Sequence, residues 1–303
     1  MKKIFLLLTA VLSISGSVVW GQTAKSMSIL KNQSLVVVLK DEEPGKLKKL
    51  AKKPSELADY KAFILDYNTQ IQELAQQLWH FSPAVEFKYE SEMPALLKDK
   101  SFEHGVLQHD NFVAVERTGG AARGGVIYSS SMQTAFSLGV ISNGNRSSLA
   151  QVPIAPGVVH TSDIIFCLKG LQYQLQLLAS GKTGKEVMAD MAQNAKRLRI
   201  KTLLLDDAEI NSKLTAADIK QVYPFPYQIV PRSTIEAAVK EGDARYACVR
   251  MLPIASSSIE QVIMDTSDGA ILVMTSGGGW TLKGGSVVDK SNLKAFAQAA
   301  SGK

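Results

Sequence analysis

The sequence of 303 residues contains little cysteine and little histidine. It has two cysteines and four histidines, and neither type occurs at the spacing of a zinc site, such as His-x-x-x-His on a helix or paired Cys-x-x-Cys motifs. A Gly-x-Ser-x-Gly nucleophile motif is also absent. The residues therefore predict no metal site, no cofactor and no catalytic motif that can be recognised from sequence alone.

Both cysteines lie in apolar surroundings. Cys167 is part of "IIFCL", and Cys248 is part of "RYACVRML". In an oxidising compartment the pair could form one disulfide, closing a loop of roughly 80 residues. Apolar neighbours are typical of buried free thiols, so the pattern favours two free cysteines over a bridge.

Long apolar runs are missing after the first residues of the chain. The start has the features of a secretory signal peptide: a basic pair, Lys2 and Lys3, then the apolar run Ile4 to Ile14, then small residues. We predict a signal peptide over 1–21 with cleavage after Gly21, and hence a soluble periplasmic or secreted protein. An uncleaved N-terminal anchor is the alternative. No later run reaches the roughly 20 apolar residues of a membrane span.

The charge is modest. The whole chain carries +6, and without its first 21 residues, which include Lys2 and Lys3, it carries +4. Local basic runs, "KLKKLAKK" and "AKRLR", lie in helical contexts beside acidic residues, which is typical of solvated helix faces. The sequence does not predict a nucleic-acid-binding protein, because that would require clustered basic residues on one face.

Strand and helix patterns alternate twice along the chain. "LVVVLK" and "KTLLLDD" each predict a buried strand, followed by a helix, an aromatic–proline corner, a strand, a short helix and a further strand. The fold class predicted is α/β (α+β): two tandem, duplicated modules with mixed sheets, joined by a helical hairpin. The predicted divisions are a flexible N-terminus over 22–34, a first module over 35–157, the hairpin over 158–199 and a second module over 200–303.

A low-identity alignment supports the duplication. Glu92–Leu107 aligns with Thr234–Val249, pairing apolar, small and charged positions in the same order. Because turn chemistry and element order agree with the apolar pattern, we prefer duplication to coincidence.

The letters Gly-Lys-Thr at 181–183 resemble the end of a phosphate-binding P-loop. Such a loop needs a strand before it and a glycine at the position held here by Gln176. The preceding residues have helical spacing, Gly181 is suited to end that helix, and Thr183 with Glu186 forms a capping-box pattern. We predict a helix–turn–helix joint and no nucleotide site.

A few residues are candidates for ligand or partner binding. Arg117 and Arg123 lie in a Gly-rich hairpin segment that could bind an anion, and Trp280 lies in the glycine frame "TSGGGWTLKGG". Tyr223 and Phe225 belong to the corner "YPFPY". Each candidate also has a simpler, structural interpretation. The arginines would lie in a hairpin loop, Trp280 would pack over the sheet, and Tyr223 and Phe225 would form a rigid corner that seals the core.

The second module, from "KTLLLDD" to "TIEAAVKEGDARYACVRML", resembles uncharacterised exported envelope proteins of Gram-negative bacteria. It also resembles the α/β module of the curli-secretion lipoproteins and of the N-terminal domain of the Tol-system translocation protein. The resemblance implies a role in envelope assembly or binding, without a catalytic motif. This chain lacks the acylated cysteine of the lipoproteins.

Two functions follow as hypotheses. The preferred one is a non-catalytic envelope protein that binds a protein or polymer partner. The alternative is a secreted hydrolase with a site between the modules, using His104, His109 or Asp110. On one strand, however, positions 104 and 109 point to opposite faces.

Overall fold

The computed structural model describes residues 19–120, 126–154, 159–182, 184–253, 259–277 and 287–302. It confirms the α/β class, with two mixed sheets of five strands each. The chain divides into two compact units. The first unit comprises the described residues of Ile14–Asp110 and of Phe136–Val152. The second unit comprises the described residues of Asn111–Ala135 and of Pro153–Lys303.

The first sheet is formed by the N-terminal half of the chain. Its strands have the order β2-β1-β3-β4-β5, with β1 parallel to both β2 and β3. The elements in chain order are α1 (Val19–Asn32), β1 (Leu35–Leu39), α2 (Pro44–Leu50), α3 (Pro54–Leu78), β2 (Val85–Tyr89), a 3-10 turn (Glu90–Glu92), α4 (Met93–Lys98), β3 (His104–Gly120), β4 (Val126–Ser142) and β5 (Asn145–Ile154).

The second sheet belongs to the C-terminal half. Its strands have the order β7-β6-β8-β9-β10. The elements are α5 (Thr161–Ala179), α6 (Gly184–Ala195), a 3-10 turn (Lys196–Arg199), β6 (Thr202–Asp206), α7 (Ala216–Val222), β7 (Tyr227–Val230), α8 (Arg232–Glu241), β8 (Tyr246–Pro253), β9 (Ile259–Asp265), β10 (Ile271–Gly277) and α9 (Lys290–Ser301).

The two sheets have the same topology, and their registers agree. In the first sheet Leu35 pairs with Val85 and Gly105; in the second, Leu203 pairs with Tyr227 and Ala247. Gly105 and Ala247 are therefore equivalent positions. The alignment of Glu92–Leu107 with Thr234–Val249 makes the same pairing, so strand register supports the residue-level match made from sequence.

Each sheet is built around one strand that is buried on both faces. All five residues of β1 are buried. Val36 and Val38 lie in a cluster with Met93 and Leu97 of α4, and α3 contacts the same strand. Because alternate residues point to opposite faces, α3 covers the face of the odd-numbered residues of β1. Apolar residues recur at three- and four-residue steps from Leu57 to Leu78, which predicts a helix with one apolar stripe. The buried side chains of α3 match this stripe and include Tyr60, Ile64, Tyr67, Ile71 and Leu74.

The N-terminal segment differs from the expectation. A flexible chain was expected over 22–34, whereas α1 is a helix that buries Met27, Ile29 and Leu30. A Cβ atom added at Gly105 would lie 2.3 Å from Leu30 Cδ2, so the helix packs closely on β3. The short apolar spacing of "MSIL" is too brief to show helical periodicity by itself.

Tight turns fix two hairpins. The segment "EQVIMDTSDGAILVM" predicts a hairpin around Ser267-Asp268-Gly269. The structure confirms it, with Gly269 at φ +73°. Lys169 Nζ donates to Thr266 O at 2.7 Å, which ties this turn to α5. The turn between β4 and β5 was not located from sequence. It is formed by Asn143 and Gly144, both with positive φ, which is the typical two-residue hairpin signal.

The Gly-Lys-Thr segment joins two helices, as predicted. Helix α5 precedes it, Gly181 takes the left-handed conformation at φ +67°, and α6 begins at Gly184. A helix before the loop excludes the strand–loop–helix geometry of a P-loop. Thr183, the first residue of the predicted capping box, lies outside the described residues.

Both thiols are buried and unbridged. Cys167 and Cys248 are free and have no exposed surface, which confirms the prediction of free cysteines. Burial raises the pKa of Cys248 to about 12 and also raises that of Cys167. Neither is therefore a reactive thiolate at neutral pH. Among the described helices, none is both long enough and apolar enough to cross a membrane.

His109 is a partly buried histidine in the core of the first unit. Its ring lies between those of Tyr67 and Phe136, at centroid distances of 5.7 and 5.2 Å, and both ring nitrogens are buried without a hydrogen-bond partner among the described residues. Burial, assisted by the charge of Lys40, lowers the pKa of His109 to about 3. The neutral ring is therefore the form that the folded chain accommodates.

We predict that replacing His109 with Phe removes this sensitivity. Below pH 6.5 His109 is protonated in the unfolded chain but stays neutral in the folded chain. The free energy of unfolding therefore has its full value above pH 6.5 and decreases as the pH falls towards about 3. One proton corresponds to a slope of about 1.4 kcal/mol per pH unit. Urea unfolding from pH 7 to 4 should show a shallower slope for His109→Phe. Equal slopes for the two proteins would contradict this assignment.

Candidate functional site

The aromatic–proline corner of the second unit leads into an exposed edge strand. Helix α7 begins at a capping box in which Thr215 and Asp218 each accept from the other's backbone N–H, and it ends at Val222 with Tyr223 as its C-cap. The Tyr223 ring has no exposed surface, and the Phe225 ring packs edge-on against it at 5.5 Å. Burial raises the pKa of Tyr223. The corner is anchored in the core, which agrees with the simpler of its two interpretations.

Strand β7 follows the corner and is the edge of its sheet. It has four residues, and among the described strands it pairs in parallel with β6 alone. Leu203 N–H donates to Pro226 O at 3.0 Å, and Asp207 N–H donates to Val230 O at 3.1 Å. In a parallel ladder the residues that bond to one neighbour alternate with those that face away from it. The N–H and C=O groups of Tyr227 and Ile229 therefore point away from β6.

The side chains along β7 are partly open to solvent. Ile229 is 44% exposed, one of four large apolar side chains with high exposure among the described residues. Gln228 is also exposed, and Tyr227 is half-buried with its Oη donating to Ala216 O at 3.3 Å. Pro226 precedes the strand and Pro231 follows it. Because proline fixes φ, the two ends of this short edge are conformationally restricted.

A cluster of charges holds the C-terminal end of β7. Arg232, directly after Pro231, donates through Nε to Asp206 at 2.7 Å and through Nη2 to Glu209 at 2.5 Å. Burial raises the pKa of Glu209, and the charge of Arg232 opposes that rise. Burial disfavours the Arg232 cation, but its two carboxylate partners outweigh this and raise its pKa. The side chain of Asp206 is 4% exposed, so it depends on Arg232 for compensation.

The first sheet has an equivalent edge at β2. Leu35 N–H donates to Ala84 O at 2.9 Å, so the same alternation turns Val85 and Phe87 outward from β1. The next outward amide, that of Tyr89, is already used: it donates to Glu92 Oε2 at 2.7 Å. β2 therefore offers a less open edge than β7, although Tyr89 itself is 45% exposed.

The other predicted binding residues are only partly covered by the structure. Arg117 lies in β3, but the structure describes only its backbone. Arg123 and Trp280 lie outside the described residues. Binding by these three residues stays a prediction. Tyr223 presents no surface to a ligand, whereas Phe225 is partly buried against the core. Sequence reasoning missed Ile229, for which the only signal was "YQIV" between two prolines.

The three residues named for the hydrolase alternative, His104, His109 and Asp110, each contact other side chains of the first unit. His104 stacks on Phe102 at a centroid distance of 4.3 Å. His109 lies in the apolar contacts described above, and Asp110 lies 3.6 Å from Arg146. No group of three or more His, Cys, Asp or Glu residues that could hold a metal occurs in the described part of the chain. These contacts give no support to an acid–base pair of histidines.

Comparisons with known proteins add no relatives. No protein-family model matches this chain, and no curated protein or solved structure matches it either. The resemblance to envelope proteins therefore stays a prediction, and the interpretation of the site depends on its geometry.

We predict that Arg232→Met lowers the free energy of unfolding of the second unit by about 2–3 kcal/mol, because it leaves the buried Asp206 carboxylate without its partner. The double variant Asp206→Asn/Arg232→Met should lose less than the sum of the two single changes. Urea unfolding measures all three. Arg245→Met is the control: Arg245 is 76% exposed beside Asp243, so its loss should be below about 1 kcal/mol. Equal small losses for Arg232 and Arg245 would show that the charge cluster does not hold β7.

Proposed function

We propose that this chain is a non-catalytic binding protein of the bacterial cell envelope, and that β7 pairs with an extended segment of a protein partner. The observation that carries the proposal is the open edge: two residues, Tyr227 and Ile229, turn their main-chain groups away from β6, and Ile229 adds exposed apolar surface. Strand addition to a sheet edge is a general mode of peptide recognition.

The energetics suit a reversible interaction. Two outward residues offer up to four main-chain hydrogen bonds, each contributing about 0.5–1.5 kcal/mol net. Burial of the exposed part of Ile229 adds on the order of 1 kcal/mol. The total, about 3–7 kcal/mol, is comparable with the cost of association, so a second contact elsewhere is required for stable binding.

The prolines restrict what can bind. Edge strands are an aggregation hazard, which proteins limit by shortness and by proline. Pro226 and Pro231 confine pairing to the four residues of β7, so a partner strand cannot extend along an open-ended ladder. A short, defined register favours one specific segment over indiscriminate stacking.

The envelope location rests on the N-terminal pattern and on the resemblance. The basic pair and apolar run before Gly21 favour export, and the resemblance implies envelope binding or assembly. Modest charge and the absence of a recognisable catalytic motif are consistent with a binding role.

The proposal predicts that Ile229→Pro abolishes partner capture. The Ile229 N–H faces away from β6, so proline removes an outward donor without breaking the internal ladder. The tagged wild-type protein is cross-linked in envelopes of its native cell and purified, and the bands that are absent from an untagged control are identified by mass spectrometry. We expect the partner band to fall at least tenfold in Ile229→Pro, and also in Ile229→Lys, which places a charge on the edge.

Two controls separate pairing from folding. Ile229→Thr keeps the N–H and the β-branched shape, so it should retain most of the partner. Thermal unfolding should place all variants within a few degrees of the wild type. Capture of the same partner at the same level by folded Ile229→Pro would contradict the proposal.

A further inference from the structure

The helical hairpin of the second unit contains a groove that the proposed edge does not use. It has a volume of about 400 Å³ and lies between α5 and α6. Most of its lining is polar and uncharged, with contributions from both helices: Tyr173, Gln176, Ser180, Gln193 and Asn194. A volume of this size is within the usual range of small-ligand sites.

The two charged residues of the groove neutralise each other. Lys182 Nζ lies 2.5 Å from Asp190 Oδ2, and the hydrogen bond to Asp190 raises the pKa of Lys182. Both groups are thus committed to a pair, and the groove has no net charge. A free anion or cation would have to break this pair, so the lining favours an uncharged ligand.

Amide groups in the groove are available for hydrogen bonding. The side chains of Gln176 and Gln193 are exposed and have no hydrogen bond among the described residues. Asn194 Nδ2 donates to Tyr173 Oη at 3.2 Å, which holds the tyrosine ring in place. Because Tyr173 Oη accepts in this bond, the hydroxyl proton of Tyr173 can be donated to a ligand. Each amide supplies both donors and an acceptor, which matches a ligand that carries many hydroxyl groups.

One flat apolar surface accompanies these polar groups. The half-buried Tyr173 ring and Leu177 are the apolar members of the lining. An aromatic ring offers a rigid surface with a polar handle at one end. A wholly apolar ligand would leave the amides unpaired, whereas a sugar presents C–H groups on one face and hydroxyls at its rim.

We propose that this groove binds a short uncharged carbohydrate, a mono- or disaccharide unit, with Gln176 and Gln193 hydrogen-bonding its hydroxyls and Tyr173 packing against its ring. The left-handed turn at Gly181 joins the two helices of the groove, and the pair between Lys182 and Asp190 links that turn to α6. This proposal is independent of strand addition at β7, because the groove and the edge share no residues.

Titration calorimetry of the full-length protein tests the assignment. The probes are glucose, cellobiose, maltose and N,N′-diacetylchitobiose, with glucosamine and glucuronate as the charged counterparts of glucose. We expect at least one neutral disaccharide to bind with a Kd below about 10 mM. The double variant Gln176→Ala/Gln193→Ala should weaken that binding about tenfold or more. Gln174→Ala, the same change on the same helix outside the groove, should leave it unchanged.

Three outcomes would overturn the proposal. The first is the absence of binding by every neutral probe. The second is binding of a charged sugar that is as strong as that of its neutral counterparts and weakens with salt, which would assign the groove to an ion. The third is unchanged affinity in Gln176→Ala/Gln193→Ala when that variant unfolds at the wild-type temperature, which would place the sugar elsewhere.

Discussion

The two-sided burial of one central strand in each unit determines the rest of the structure. β1 is buried along its whole length, as are four of the five residues of β6. A strand buried on both faces needs helices on both faces, so the connections after β1 and β2 run to opposite sides of the sheet. This places β2 and β7 at the edges. The candidate binding edge is thus a geometric consequence of how the core is covered.

Charges inside the second unit are compensated by one another. The Asp265 side chain, 1% exposed, accepts from Lys201 at 3.0 Å and from Arg197 at 3.1 Å. Asp163 accepts from Arg250, whose pKa burial lowers to about 10. Uncompensated burial of such groups would destabilise the fold by several kcal/mol. These ionisable groups therefore have structural partners, and the surfaces proposed for binding, the β7 edge and the α5–α6 groove, are neutral.

Much of the fold could be predicted from local patterns. The run "LVVVLK" located β1, the stripe from Tyr60 to Leu74 located α3, and Gly181 marked the turn of the helical hairpin. The edge could not be predicted in this way, because the exposure of Ile229 depends on strand order, which no local pattern encodes. The groove likewise requires two helices to meet. The helix over most of 22–34, a segment predicted to be flexible, could not be found in this way either, because the contact between Leu30 and Gly105 that packs α1 on β3 is remote in sequence.

The proposed binding mode requires β7 to be an open edge. Amide hydrogen exchange of the isolated protein, resolved by residue with NMR, measures this property without a partner. An open edge predicts slow exchange for the amides of Gln228 and Val230, which the ladder directs at β6, and fast exchange for those of Tyr227 and Ile229, which face away. Protection of the Tyr227 and Ile229 amides equal to that of Gln228 would contradict it, because the edge would then already be covered within the chain.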